Sequence, residues 1–376
     1  MGRKTSLRNY LMVALMVGFF ILLIIDTQNV LSTGQKAIEL CLKVIIPSLF
    51  PFFILSRLIF NTGAIHIISR IFEPIVKPLF NLPGTAAFPI IAGWLSGYPA
   101  GAKYTADLYE KGMLTKSQAE RLLCFCNNSG PLFIVGAVGT GYFNSPELGF
   151  ILLMCHILGS LTVGIIQRFV FKDKLQSENL QVKDQTCKVT FSSQMLTESI
   201  ADSFNVLLQI CGTIIFFAVF VQTLETAGIF DGVSNLISFL TKSDTSSFFR
   251  IITAGGFEIT YGLSILSHSI IIPTNIKILL TSFLCGFGGV SVFIQVAGLC
   301  PKTIKLKKYV CGKLLHGAIA SVYTLLFLSK RSIPTMNYSY EIYESGFSKA
   351  IIIVYILLLL FLIVYLIKLG FAKKKH

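Results

Sequence analysis

The sequence predicts an all-α polytopic membrane protein with about eight transmembrane helices and two re-entrant hairpins in two inverted repeats. Three observations lead there. Of the 376 residues, 53% are hydrophobic and 13% charged, with a mean hydropathy of +0.73. A soluble chain carries about a quarter charged residues. Runs such as 10–25 and 350–367 approach or reach the roughly 20 apolar residues that cross a bilayer. Finally, the apolar middle is written twice. Ile90 to Gly101 (IIAGWLSGYPAG) is echoed by Ile251 to Gly262 (IITAGGFEITYG), and Cys124 to Gly139 (CFCNNSGPLFIVGAVG) by Phe283 to Gly298 (FLCGFGGVSVFIQVAG). In each copy, Gly, Pro, Ser or Asn interrupts a segment that should be continuous, and such matched breaks point to a transporter's substrate site.

Helical spans are the economical reading, because bilayer-exposed backbone must satisfy its own hydrogen bonds. The first span covers about 10–25, uncleaved because no A-x-A site follows Asp26. The second covers 40–60. The stretch 65–80 mixes His66, Arg70, Glu73 and Lys77 with apolar residues and predicts an amphipathic interfacial helix. The run 88–108 is cut at 97–101, leaving arms too short to span, which predicts a hairpin. The run 118–142 is long enough to cross but is broken at 127–131, and 148–170 spans.

The polar stretch 172–197 predicts a linker. The second copy follows in the same order: a span at 204–224, an interfacial helix at 229–240 and a hairpin at 248–271. A broken span at 275–299 and a span at 309–328 complete it, and 350–367 closes the chain. The implied units are an N-terminal helix (1–39), a first repeat (40–171), a cytoplasmic linker (172–200), a second repeat (201–329) and a C-terminal helix with a basic tail (330–376).

Three full crossings per repeat is an odd number, so the second repeat should be inverted. The net charge of +14 agrees with that topology. Basic residues gather at Arg3, Lys4, Arg8, Lys116, Arg121, Arg168, Lys172, Lys302 to Lys308 and Lys373 to Lys375, in segments that this topology places inside. Positive-inside bias then puts both termini in the cytoplasm. The charge encodes orientation and contact with anionic lipid, and no nucleic-acid motif accompanies it.

Nine cysteines without regular spacing argue against a disulfide framework. Cys124 and Cys126 point about 200° apart on a helix, so they do not form a metal pair, and His156, His268 and His316 read as packing residues. GYPAGAK (97–103) lacks the spacing of a phosphate-binding loop. No nucleophile elbow or carboxylate pair appears, so the expectation is no enzyme, no cofactor and no metal.

The candidate site lies at the breaks. Gly97, Gly101 and Gly130 remove bulk so that a ligand can reach the backbone, and Pro99 and Pro131 hold the breaks open. Close helix packing is the plain alternative. Asn127, Asn128 and Ser129 add buried polar groups that need partners. Glu258 is an intramembrane carboxylate, a functional candidate by default, with a fold-locking ion pair as its alternative. Thr260 and Tyr261 stand beside it, and Lys103 is the nearest counter-charge for an anion.

The stretches IPSLFPFFILS (46–56), SGYPAGAK (96–103), NNSGPLFI (127–134) and GGFEIT (255–260) resemble the YlbJ (SpoVV) family of sporulation integral membrane proteins of endospore-forming Firmicutes. The resemblance covers nearly the whole chain. That family belongs to the nucleoside-recognition Gate-domain proteins and is similar in plan to concentrative nucleoside transporters. The resemblance implies a place in the outer forespore membrane and movement of dipicolinic acid from the mother cell. It implies binding by Ser96, Gly97, Tyr98, Gly101, Lys103, Asn127, Asn128, Ser129, Glu258 and Thr260, with Trp94 or Tyr98 facing the ring. The expected partners are a small anionic substrate and membrane lipids. A coupling ion (proton or sodium) and a homo-oligomer stay open. A nucleoside carrier and a non-transporting scaffold are the alternatives.

Overall fold

The computed structural model describes residues 7–171, 191–241 and 246–329. Among the described residues every regular element is a helix. The apolar α1 (Leu7–Ile25) turns through 92° at Asp26 into α2 (Thr27–Leu40). The Asp26 carboxylate fixes that corner by accepting from Asn29 Nδ2 at 2.7 Å and from Thr226 Oγ1 at 2.6 Å. Helix α2 then runs through a π turn over Cys41–Ile45 into α3 (Ile46–Asn61). The widening falls just ahead of Pro47 and Pro51, neither of which can donate to the preceding turn.

Helix α4 (Ile65–Phe80) leaves α3 at 94°. It exposes Ile67, Ile71, Ile75 and Leu79 and buries Ile65, Val76 and Phe80. A short 3₁₀ turn leads to the pair α5 (Ala87–Ser96) and α6 (Ala100–Glu110), which pack on each other. Next, α7 (Lys116–Cys126) starts at a capping box between Thr115 and Gln118 and stops at 127–130. After Pro131 the chain resumes as a π-wound segment, Leu132–Tyr142, where several glycines and β-branched residues disfavour regular α-helix. Helix α8 (Pro146–Val170) is continuous and apolar.

The second part opens with α9 (Ser193–Thr226), 34 residues and about 50 Å long. The Ser192 hydroxyl caps it on Met195 N. Residues 193–200, expected as the end of a linker, are therefore helix, and 172–190 lie outside the described residues. Then come α10 (Ile229–Thr241) and the pair α11 (Ser246–Phe257) and α12 (Ile259–His268). The split helix α13 (Thr274–Phe287) and α14 (Gly289–Leu299) follows, and then α15 (Lys307–Leu328). The second pair, expected as a hairpin at 248–271, is interrupted at Glu258 alone. Helix α15 packs along α7, α8 and α13 and forms the centre of the molecule.

The chain is an all-α polytopic membrane protein. Four of its described helices are long and apolar enough to cross a membrane, or six candidate spans if each bent pair counts as one. The expected eight included 118–142, which is split at 127–130, and 350–367, which lies outside the described residues.

Candidate functional site

The two interrupted helices are met by the two helix pairs. In the first pair, Gly93 and Gly101 both lie against the last carbonyl of α7. A Cβ on either would stand 1.7 or 2.0 Å from Cys126 O. Gly97, between the arms, has φ +85°, and a Cβ there would fall 2.7 Å from Gly130 N. Only glycine combines that left-handed backbone with such an approach. A Cβ on Gly130 would in turn stand 3.1 Å from the Ser96 carbonyl oxygen.

The second pair repeats the arrangement. Gly255 and Gly262 touch across the arms. Gly289, at φ +84°, sits on the carbonyls of Gly256 and Phe257. Gly97 and Gly101, expected to let a ligand reach the backbone, admit the protein's own backbone.

Around the first break lies a sealed polar node. Asn127, Asn128 and Ser129 are at most 1% exposed, and each is bonded. Asn127 Nδ2 donates to the Tyr309 hydroxyl at 3.1 Å, while Asn128 Nδ2 donates to Phe125 O at 2.8 Å and Ser160 Oγ at 3.3 Å. Ser160 also receives Trp94 Nε1 at 3.1 Å. Ser129 N donates to His156 Nε2 at 3.2 Å. The Ser129 hydroxyl donates to Tyr98 Oη at 2.6 Å, and Tyr98 in turn donates to Cys285 O, on α13, at 2.6 Å.

From α15, the fully buried Lys313 points its ammonium into this node. It donates to Asn127 O at 2.6 Å and reaches Asn128 Oδ1 at 3.5 Å and His316 Nδ1 at 2.9 Å. His316 Nε2 lies 2.8 Å from His156 O, and the two imidazoles stand 4.4 Å apart. The carbonyl end of α7 carries the negative end of its helix dipole, which favours a cation there.

Family comparison fixes the context. A model of the Gate family, described as nucleoside recognition, matches residues 42–167. That range holds the first helix pair, the first break, His156 and Ser160. The sporulation integral membrane protein YlbJ of Bacillus subtilis (strain 168) is 34% identical over 342 residues, covering 83% of this chain and 82% of that protein. The chain belongs to the YlbJ family of sporulation integral membrane proteins. An uncharacterized protein of Alkalihalophilus pseudofirmus is 30% identical over 66 residues, 18% of this chain and 14% of that protein. No solved structure matches the chain.

Within this YlbJ-family chain, the residues singled out from sequence fall into three places. Ser96, Gly97, Tyr98, Gly101 and Asn127 to Ser129 meet at the first break. Lys103 does not join them. Its ammonium pairs with Asp107 at 2.5 Å, one turn on, and Asp107 also faces Arg57 at 3.8 Å. Arg57 reaches Asp202 at 3.2 Å and so ties α3 to α9.

Glu258 is the N-cap of α12, its carboxylate accepting from Tyr261 N at 2.7 Å. Among the described residues it has no ion-pair partner, so the ion pair expected as its alternative role is not formed there. The Thr260 carbonyl accepts from the Tyr142 hydroxyl at 3.3 Å. Lys313, His316, His156 and Ser160 complete the node and were not predicted as site residues. One signal was available: a lysine seven residues into a span, with a histidine at i+3 on the same face.

Proposed function

We propose that this protein is a secondary transporter built as two inverted repeats. Each repeat contributes a re-entrant hairpin (α5–α6 and α11–α12) and a broken span, within about eight spans with both termini in the cytoplasm. One observation carries the reading. Both helix breaks are seated on helix pairs through glycine-to-backbone contact, and Tyr98 at the tip of the first pair bonds the second broken helix at Cys285 O. Irregular backbone at membrane depth is tolerated only where protein buries it or where it lines a cavity. Paired breaks meeting at one point are the arrangement by which transporters hold and release cargo. A scaffold has no use for them.

The cargo is a small anionic metabolite. Given the family, dipicolinic acid moving from the mother cell across the outer forespore membrane is the leading candidate. Coupling to a proton or sodium gradient would drive it, and no enzymatic step is involved. A nucleoside is the second reading, favoured by the nucleoside-recognition model matching residues 42–167.

Proteoliposomes loaded with the purified protein separate these readings. Uptake of labelled dipicolinate over labelled uridine, measured with and without a proton or sodium gradient, supports the first. Uridine uptake alone supports the second. Neither uptake, together with normal dipicolinate in spores lacking the protein, removes transport and leaves the scaffold.

A further inference from the structure

The geometry points to Lys313 as the counter-charge of a carboxylate-binding subsite at the first break, with His156 Nδ1–H as its second donor and His316 as its positioning residue. This rests on the transport reading and names the chemistry of that same site: a small, planar, aromatic carboxylate.

Proton placement follows from the hydrogen bonds. His316 Nε2 faces a carbonyl, His156 O, so it carries hydrogen. Its Nδ1 then offers a lone pair to Lys313. Asn128 commits its amide hydrogens to Phe125 O and Ser160, which leaves Oδ1 toward Lys313. Lys313 Nζ thus meets two close acceptors, Asn127 O and His316 Nδ1, and a third, Asn128 Oδ1, only at 3.5 Å, so in the ammonium form its third N–H is the one a ligand oxygen can take.

Every one of those acceptors is neutral. Among the described residues no carboxylate lies within 4 Å of Lys313, whereas the partly buried Lys308 and Lys103 pair with Glu120 and Asp107. A buried ion with no opposite charge is costly, and a ligand that brings the charge recovers the Coulomb attraction.

Two further atoms point to a ligand. His156 accepts Ser129 N–H at Nε2, so its hydrogen is on Nδ1, and that donor has no partner among the described residues, in a side chain that is 1% exposed. Asn127 Oδ1, on the same break, is likewise without a partner; as an acceptor it suits a donor on the ligand and not a carboxylate oxygen. Buried polar atoms left unbonded are rare and need an explanation. A charged donor and a free N–H beside one break suit the two oxygens of a carboxylate.

The ring preference comes from Tyr98. Its phenol ring lies 5.9 Å from Lys313 Nζ, so an aromatic face already covers the ammonium. A planar aromatic acid offers the same face together with the missing charge.

Trp94 is the single tryptophan of the chain and bonds Ser160 in this node, so its fluorescence reports occupancy independently of transport. The test titrates nanodisc-embedded protein with dipicolinate, with its neutral dimethyl ester and with uridine. Dipicolinate is expected to give a saturable change and the ester none. Lys313→Met should weaken dipicolinate binding about tenfold or more, in line with loss of a charged hydrogen bond. Lys313→Arg should recover part of it.

If Lys313→Met unfolds, as its melting curve would reveal, the ester arm on the unmodified protein decides. Equal binding of ester and dianion overturns the subsite, and so does unweakened dipicolinate binding by a folded Lys313→Met. If proteoliposomes still accumulate dipicolinate, only this assignment falls. If the unmodified protein neither binds nor carries any carboxylate, the anion reading falls with it.

Discussion

Tyr98 Oη and the carbonyl oxygen of Cys285 are 2.6 Å apart, 187 residues distant in sequence, and this bond joins the tip of the first helix pair to the second broken helix. Ser129 Oγ shares both ends, lying 2.6 Å from Tyr98 Oη and 3.1 Å from Cys285 O. The three atoms form a latch between the two halves of the chain. Under the transport proposal, an opening that parts the first helix pair from the second broken helix has to break it.

Tyr98→Phe removes the phenol and leaves Ser129 as the remaining donor to Cys285 O. The net loss is about 1 kcal/mol, which shifts a closed-to-open equilibrium about fivefold. Cys285 is 2% exposed, so its alkylation rate in the membrane, read by peptide mass spectrometry, is expected to rise by about that factor. An unchanged rate would mean that the latch does not hold the closed state.

The glycines at the first break are tested by adding one methyl group. A Cβ on Gly93 would stand 1.7 Å from Cys126 O, whereas one on Gly212, in the exposed middle of α9, meets nothing within 4 Å. Backbone against backbone cannot relax by rotating a side chain, so Gly93→Ala belongs at the costly end of overpacking, about 3 kcal/mol. Its expected signature is a fall in membrane abundance and melting temperature, with Gly212→Ala unchanged. Equal stability of the two variants would refute the close approach.

What sequence reveals here divides along a physical line. The breaks at 97–99, 127–130 and 258, and the helices beside them, are legible because Gly, Pro and Asn within apolar runs are local signals. So is the amphipathic α4, through its spacing. Roles that depend on a distant partner are not legible in this way. Lys103 looks like a counter-charge until Asp107 is seen to take it. Lys313 follows the basic run 302–308 closely, and its meaning rests on Asn127 O, 186 residues away. His156 and His316 read as packing residues because the 4.4 Å between their rings has no counterpart in their spacing.

The Lys103–Asp107 pair makes that distinction measurable. With side chains 16% and 7% exposed, the pair should show a coupling of about 1 kcal/mol in a double-mutant cycle of Lys103→Met and Asp107→Asn, read by thermal unfolding. The double variant is expected to recover most of the stability lost by either single change and to keep dipicolinate binding. Loss of binding in a stable double variant would return the counter-charge role to Lys103.

Glu258 separates capping from transport. Its carboxylate accepts from Tyr261 N at the start of α12, and glutamine can accept there through its amide oxygen while alanine cannot. Glu258→Ala should therefore lose about 1 kcal/mol of stability. Glu258→Gln should insert normally and melt as the unmodified protein does, but move substrate much more slowly, because the ionisable group is gone. Glu39→Gln, at an exposed site beside Lys43, should change neither property. Normal transport by Glu258→Gln would confine this residue to capping.

Orientation is the last expectation open to test, and the fold supplies the markers. Glu120 on α7 pairs with Lys308 at 2.9 Å and accepts from Lys305 N at 3.1 Å. The basic loop before α15 therefore lies at the same end of the molecule as the start of α7. Asn144 lies past the far end of the segment that resumes after the first break, in the turn before α8. Lys302 and Asn144 are both exposed, and positive-inside bias assigns the lysine end to the cytoplasm. Single cysteines at these two positions, treated with a membrane-impermeant maleimide, should label from opposite sides: Asn144→Cys in intact cells and Lys302→Cys only after permeabilisation. Cys187, which lies outside the described residues, and the partly exposed Cys300 and Cys311 are first replaced by serine; the other six cysteines are buried. Labelling of both positions in intact cells would break the topology on which the inverted-repeat scheme depends, and labelling in the reverse sense would turn the whole protein over.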